Sequence, residues 1–285
     1  MAQWSDRRQR FRAVLSGGKC VSPASVFDPM TARMAEDIGF ECGILAGSTA
    51  SMTVLGAPDL IVLTLTEFAE QALRISRAAE LPLLVDADHG YGNALNVMRT
   101  VQELETAGVA ALSIEDTDLP PPYGAATGAR LLPLEEGLGK VKAAVAAKSD
   151  LDLVVCGRTS AAKVEGTDAC CARVRAYSQA GCDAIFLVGV PDRTAMEAIA
   201  AETDLPIIIG GAGPDLADHE YLASLGVRIR LTGHKTITAA MQAAFDALKA
   251  ERDGTAMPSL ASPELVRQTL RQGNYDGWIR DFLGG

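Results

Sequence analysis

"LLVDADHGYGN", residues 83–93, decides how the rest of the chain is read. The apolar run Leu83–Val85 stops at two aspartates, Asp86 and Asp88, with only Ala87 between them. A run apolar on both faces suits a strand covered on two sides, as in a parallel sheet. From Asn93 the pattern turns amphipathic, so the unit is strand, polar turn, helix. Two carboxylates this close repel each other unless solvent screens them or a cation sits between them.

The same unit recurs along the chain. Strand-like runs fall at 20–27, 41–47, 81–87, 109–115, 151–157, 182–189, 205–210 and 227–233. Helix-like runs fall between and after them, at 29–38, 66–79, 93–107, 134–147, 167–180, 192–202, 216–225 and 234–250. Several of these helices stop at a glycine just before the next strand, as in "DIGF", "TAGVA", "QAGCD" and "SLGVR". Eight strand–helix units in about 250 residues predict an α/β fold of the (β/α)8 TIM-barrel type. A doubly wound sheet is the alternative, but no GxGxxG follows the first strand. Residues 1–250 are expected to form the catalytic barrel, including an amphipathic N-terminal helix. Residues 251–285 are expected to form a C-terminal helical extension. In it Ser262 is the expected N-cap and Pro263 the first helical residue. Trp278 and Phe282, with Ile279 and Leu283, make an apolar helical face beyond a complete barrel. Packing on a neighbouring subunit is preferred for that face over folding back on its own barrel.

Composition narrows the function. The chain has 285 residues, 48% of them hydrophobic, and a net charge of −10. With no basic run, nucleic acid is excluded as a partner. No apolar run reaches the roughly 18–20 residues of a spanning helix, so no membrane is expected. The N-terminus lacks the apolar core of a signal peptide. The six cysteines include no CxxC and no zinc spacing, which reads as reduced thiols in a cytoplasmic protein. Three histidines, His89, His219 and His234, are too few for a histidine-rich metal site.

In a barrel of this type the active site lies at the C-terminal ends of the strands. Those ends carry Asp28, then Ser48 with Thr49, then Asp86 with Asp88, Glu115 with Asp116, Arg158, and His234. The sixth and seventh strands end in small or apolar residues. Alternation along a strand puts Asp86 and Asp88 on one side, and Glu115 comes from the adjacent strand. Three hard oxygen donors point to Mg2+ or Mn2+, and Mg2+ leaves room for a chelating substrate. Arg158 beside such a cation suits a small keto acid or dicarboxylate. A Schiff-base lysine is the rival mechanism, and only Lys235 stands near a strand end. "GGAGPD" (210–215) has no basic residue and reads as a tight turn rather than a phosphate site. Cys156 reads as a buried thiol.

The motifs "VFDPMTARMAEDIGFECGILAGS", "DADHGYGN", "LSIED", "GRTSA" and "AYSQAGCDAIFLVG" resemble the isocitrate lyase and phosphoenolpyruvate mutase superfamily from about residue 20 to 250. The resemblance implies a (β/α)8 barrel whose eighth helix is exchanged between subunits, in a homotetramer built from dimers. It also implies Mg2+ and a 2-keto acid reacting through an enolate. By position, Asp86 resembles the direct metal ligand, and Asp88 and Glu115 resemble residues holding the metal largely through water. Gly47, Ser48 and Arg158 resemble the groups gripping the substrate carboxylate.

Departures from the superfamily pattern select a subgroup. Its carbon–carbon lyases carry K-[KR]-C-G-H after the fourth strand; here that stretch reads "DTDLPPPYGAATGARLL" (116–132), without cysteine, histidine or lysine. The lysine and asparagine of the phosphorus mutases are missing there too. After the sixth strand "FLVGV" stands where lyases read F-x-E-G. His234 in "TGHK" stands where many relatives have no histidine. This pattern resembles the superfamily's oxaloacetate decarboxylases and implies Mg2+-dependent conversion of oxaloacetate to pyruvate and CO2. His234 would then hold substrate or assist proton delivery. A lyase or hydrolase acting on a substituted malate is the alternative, and a non-catalytic metabolite-binding barrel the third reading.

Overall fold

The computed structural model describes residues 2–124 and 128–284. The expected loop 116–132 therefore lies partly outside the described residues. Eight strands form one parallel sheet in chain order. They are β1 (Ala24–Ser25), β2 (Gly43–Leu45), β3 (Leu83–Asp86), β4 (Ala111–Glu115), β5 (Val154–Thr159), β6 (Ala184–Val188), β7 (Ile207–Gly210) and β8 (Val227–Arg230). Val21, just ahead of β1, pairs with Ile229 of β8 and brings the two edges together. Its N–H donates to the Arg228 carbonyl and its carbonyl accepts from the Arg230 N–H, both at 2.9 Å. Each expected strand run overlaps one strand, and β5 overruns its run by two residues. Each expected helical run overlaps a helix, at Pro29–Ile38, Leu65–Ala78, Ala94–Thr106, Leu134–Ala147, Thr167–Gln179, Arg193–Ala200, His219–Ser224 and Lys235–Asp253. The fold is an α/β barrel of the TIM type.

Local chemistry sets the helix starts. Asp28, Thr64, Asn93, Asp192, Asp218 and Ser262 each cap a helix by accepting backbone N–H bonds. Asp28 is thereby absorbed: its carboxylate accepts from the Thr31 N–H at 2.7 Å in a reciprocal capping box. Alternate strand residues then sort into two layers. Ile44, Leu84, Val154, Cys156, Phe186, Ile208 and Ile229 fill the barrel interior. Leu45, Leu83, Val85, Leu112 and Val155 face outward under the helices. Leu187 and Ile209 do the same on the far side.

The N-terminal helix Ala2–Ser16 is held differently from the amphipathic expectation. Phe11 and Leu15 are its buried apolar contacts, and arginines supply the rest. Arg8 is 1% exposed. It donates to the Val109 and Glu105 carbonyls and pairs with Asp150 at 2.6 Å. Arg7 pairs with Glu80 and Arg12 with Asp183, each at 2.8 Å. Guanidinium groups thus satisfy carbonyls at the N-terminal ends of the strands, which a buried apolar stripe would leave unpaired.

Two helices late in the chain stand apart. Lys235–Asp253 buries Ile237 and Ala250 and leaves Met241, Phe245 and Leu248 exposed. Pro263–Thr269 docks on the helix Pro29–Ile38, where Arg271 pairs with Asp37 at 2.6 Å and Glu36 at 3.2 Å. The helix after it, Gln272–Leu283, buries no residue, and Trp278, Ile279, Phe282 and Leu283 are all exposed. The face does not fold back on its own barrel. Among the described residues no helix is long and apolar enough to cross a membrane.

Candidate active site

The C-terminal ends of the strands open into a cavity of about 400 Å3. Ser48, Asp59, Asp86, Asp88, Glu115, Arg158 and His234 line it on the polar side. Sheet register assembles the centre of the group. Glu115 of β4 lies directly across from Arg158 of β5, and Asp86 of β3 lies across from Ser113 of β4. The guanidinium reaches past its register partner: Nη1 sits 2.5 Å from Asp86 Oδ1 and Nη2 3.4 Å from Glu115 Oε2. Ser113 Oγ donates to the same Asp86 oxygen at 3.1 Å. Phe186, across from Arg158 on β6, carries the guanidinium over its ring at 5.5 Å.

The strand regularity expected to align Asp86 and Asp88 ends one residue too early. β3 stops at Asp86, and Asp88 takes a left-handed backbone at φ 48°. Both side chains still reach the cavity, so the result stands and its reason changes. The turn is secured by its neighbours. Asp88 offers its carbonyl to the Glu115 N–H at 2.9 Å. Gly90, at φ 77°, leaves no space for a Cβ because Val97 occupies it. Gly47 does not line the cavity; it packs on the Asp88 carboxylate so closely that a Cβ would collide with it.

Electrostatics follow from this crowding. Burial, and then Asp86, push the Asp88 carboxyl well above its ordinary range, against the pull of Arg158. Burial also raises Glu115, with Arg158 opposing. Asp59 is raised by burial and by Asp86. Arg158 loses solvation on burial, but Asp86, Glu115 and Asp88 outweigh that and hold its proton more firmly than usual. Burial lowers the His234 imidazole, opposed by Asp86 and Asp59, and favours the neutral ring. Nδ1 of His234 is 2.8 Å from Ser25 Oγ on β1.

Two members of the site were not visible as strand ends. Asp59 lies in the loop between β2 and the helix Leu65–Ala78, in "GAPDLIV", where only a polar residue among apolar ones marks it. Ser25 reads as a strand residue, and its bond to His234 exists only because β1 and β8 meet. Cys156 is buried in the barrel interior, and Lys235 lies outside the cavity. The tight turn expected at 210–215 begins with Gly210 and Gly211, which form part of the cavity wall.

The cavity holds four carboxylates, Asp59, Asp86, Asp88 and Glu115, against one guanidinium and a neutral-leaning imidazole. Hard oxygen donors in such excess fit Mg2+ or Mn2+. Among the described residues no three of the acidic, histidine or cysteine side chains are spaced to ligate one ion directly. The expected convergence of three carboxylates is therefore a shared mouth and not a closed cage. That suits an ion that keeps several waters.

Comparison with known proteins places this geometry. The chain matches the phosphoenolpyruvate phosphomutase family over residues 11–251. It is 52% identical to an oxaloacetate decarboxylase of Rhodopseudomonas palustris (strain BisB18), across 99% of this chain and 98% of that protein. Among solved structures it resembles oxaloacetate acetylhydrolase in complex with 3,3-difluorooxalacetate, at 28% identity and a TM-score of 0.86, covering 99% of this chain and 98% of the other. It also resembles phosphonopyruvate hydrolase in complex with oxalate and Mg2+, at 27% identity and a TM-score of 0.82, covering 97% and 99%. With its barrel, acidic mouth and full-length matches in agreement, the chain belongs to the phosphoenolpyruvate phosphomutase family of the isocitrate lyase superfamily.

Proposed function

We propose that the protein is an oxaloacetate decarboxylase, converting oxaloacetate to pyruvate and CO2 with Mg2+, or Mn2+ in its place. One observation carries the reading: the cavity offers carboxylates, a guanidinium and an imidazole, and among the described residues no thiol or lysine lines it. Cleaving carbon–carbon bonds with a carbanion leaving group calls for a proton donor beside that group. Loss of CO2 from a 2-oxo-3-carboxylate needs only that negative charge at the keto oxygen be stabilised. The decarboxylases of about 50% identity support the same substrate.

Asp86 would hold the cation directly, with Asp88 and Glu115 acting through water. When bound, the ion supplies positive charge to the C1 carboxylate and C2 oxygen of the keto acid. The protein's own groups do the rest. Arg158 grips the carboxylate that stays on the product; its Nε is buried without a partner, so one N–H remains to be satisfied. Ser48, on the cavity wall, would grip the same carboxylate, with Gly47 behind it against Asp88. With Ser25 donating to Nδ1 of His234, the ring N–H lies on Nε2, where it can donate a hydrogen bond to the keto oxygen as charge gathers there.

The same reading assigns residues 1–250 to the catalytic barrel and 251–285 to assembly. The exposed apolar residues of Lys235–Asp253 and Gln272–Leu283 support exchange of the eighth helix with a second copy and a homotetramer of two dimers. Six free cysteines, five of them buried, support a reducing, cytoplasmic setting. The deciding experiment is pyruvate release from oxaloacetate, with and without Mg2+, beside cleavage of substituted malates. Acceleration no greater than that of free metal, or preferential cleavage of a malate, would replace this function with the lyase or the non-catalytic alternative.

A further inference from the structure

Strand order around a barrel is order in space, so the cavity wall can be walked residue by residue. From β2 to β5, with the Asp59 loop, it carries Ser48, Asp59, Asp86, Asp88, Glu115 and Arg158. From β6 to β8 it carries Phe186, Val188, Gly210, Gly211, Leu231 and Gly233. These form one continuous arc: β6 and β7 are in register at Val188 and Gly210. The Leu231 N–H donates to the Ile209 carbonyl at 2.8 Å and ties β8 to β7. Within the arc, among the described residues, there is no charged side chain and no side-chain hydrogen-bond donor. Leu119 and Pro121, from the loop after β4, add further apolar surface. The one imidazole at its border, His234, is anchored to Ser25 across the β1–β8 seam.

We propose that the β6–β8 arc is an apolar subsite that receives the distal end of a 2-keto acid without a counter-ion. This rests on the decarboxylase reading for its chemical consequence. With C1 and C2 held on the charged side, the C4 carboxylate of oxaloacetate lies against Val188 and Leu231. A carboxylate is poorly solvated there, and CO2, neutral and apolar, is not. The C3–C4 bond breaks, its electron pair passes into the C2–C3 bond, the keto oxygen takes the charge, and CO2 leaves. One proton added at C3 completes pyruvate. The arc thus favours the departing form of the group over its bound form. For the same reason it takes alkyl 2-keto acids that carry no second carboxylate.

Two measurements test this. The first uses the Mg2+-loaded wild-type protein and calorimetric binding of pyruvate, 2-oxobutanoate and 2-oxopentanoate. Each added methylene should tighten binding by about fourfold, the transfer effect of burying one CH2. Affinity that is flat or falls along the series would overturn the subsite. The second is Val188→Lys, which places an ammonium beside the departing carboxylate. Its KM for oxaloacetate should fall or hold while kcat drops at least tenfold; an undiminished kcat would overturn the proposal. Oxalate binding with Mg2+, which involves the charged side alone, checks that the variant is intact. The two readings fail separately. A graded alkyl series in a protein that releases no pyruvate would keep the subsite and remove the reaction. An active enzyme with a flat series would do the reverse.

Discussion

Arg158 pairs with Asp86 at 2.5 Å and with Glu115 at 3.4 Å, so one guanidinium bridges the carboxylates of two neighbouring strands. All three groups are largely buried. The bridge holds the acidic mouth together before any substrate arrives. Removing either side leaves a buried charge without its partner.

Asp86→Ala is expected to abolish Mg2+ dependence and nearly all decarboxylation. It removes the proposed direct ligand and frees Arg158 and Ser113 together. Steady-state rates across a Mg2+ titration measure this. Wild-type rates in the variant would sink the metal assignment.

Arg158→Ala should lose on the order of 2–4 kcal/mol in kcat/KM, the range for a charge-assisted contact left unmade. The metal-free variant should also melt at lower temperature, and added Mg2+ should recover part of the loss, because Asp86 and Glu115 then regain a counter-charge. Lysine will not substitute fully, since a single ammonium cannot span two carboxylates and rest on Phe186. An unaltered KM and kcat would place Arg158 outside the reaction.

His234→Ala should slow turnover about 10- to 100-fold, the effect of one lost hydrogen bond worth roughly 1–3 kcal/mol. Glutamine should restore part of it, because an amide donates without titrating. Burial lowers the wild-type imidazole below its ordinary value of 6.5. The neutral ring is therefore complete above pH 6.5 and is lost only as pH falls through the lowered folded value, so the rate should be level at pH 7–8 and decline only on the acid side. The glutamine variant should keep only the part of that decline that protonation of Asp59, Asp88 and Glu115 imposes. An alanine variant equal to wild type across pH 6–8 would strike His234 from the site.

Deleting residues 258–285 should weaken the oligomer, read by light scattering after sizing. Arg271→Ala is the gentler form, since it cuts the pairs to Asp37 and Glu36 that dock the segment. The Arg271 hydrogen bond holds the Asp37 carboxyl below its ordinary 3.8. That contribution is complete above pH 3.8 and disappears as pH falls through the lower folded value. Proteases at neutral pH should therefore cut the variant's extension faster than wild type. An unchanged assembly after deletion would end the arm's proposed role.

Much of this architecture was legible because its signals are local. Apolar runs ending in Asp86, Glu115 and Arg158, helix caps such as Asp28 and Ser262, and stop glycines such as Gly39 each act within a few residues. What escaped was decided over long range. Asp59 reaches the cavity through a loop whose path no periodicity records. Ser25 meets His234 across 209 residues of chain. The pairing of Arg158 with Asp86 depends on the register of three strands, which pattern alone does not set. The N-terminal helix misled in the opposite way: its arginines look like a solvated face, but they bond to backbone at the end of the barrel.

The seam between the first and last strands has a further consequence. β4 and β5 share five register pairs, whereas β1 and β2 share two and, among the described residues, Val21 alone pairs with Ile229. Breathing of the closed sheet should therefore begin there, with the amides of Val21 and Arg230 exchanging hydrogen sooner than those of Val155 and Gly157. The Ser25–His234 bond crosses that same weakest joint. Each opening carries the imidazole away from the carboxylates, so the fraction of time the ring spends in register is set by how firmly the barrel stays shut. Any mutation that loosens this junction, however far from the cavity, should register as a smaller population of competent enzyme.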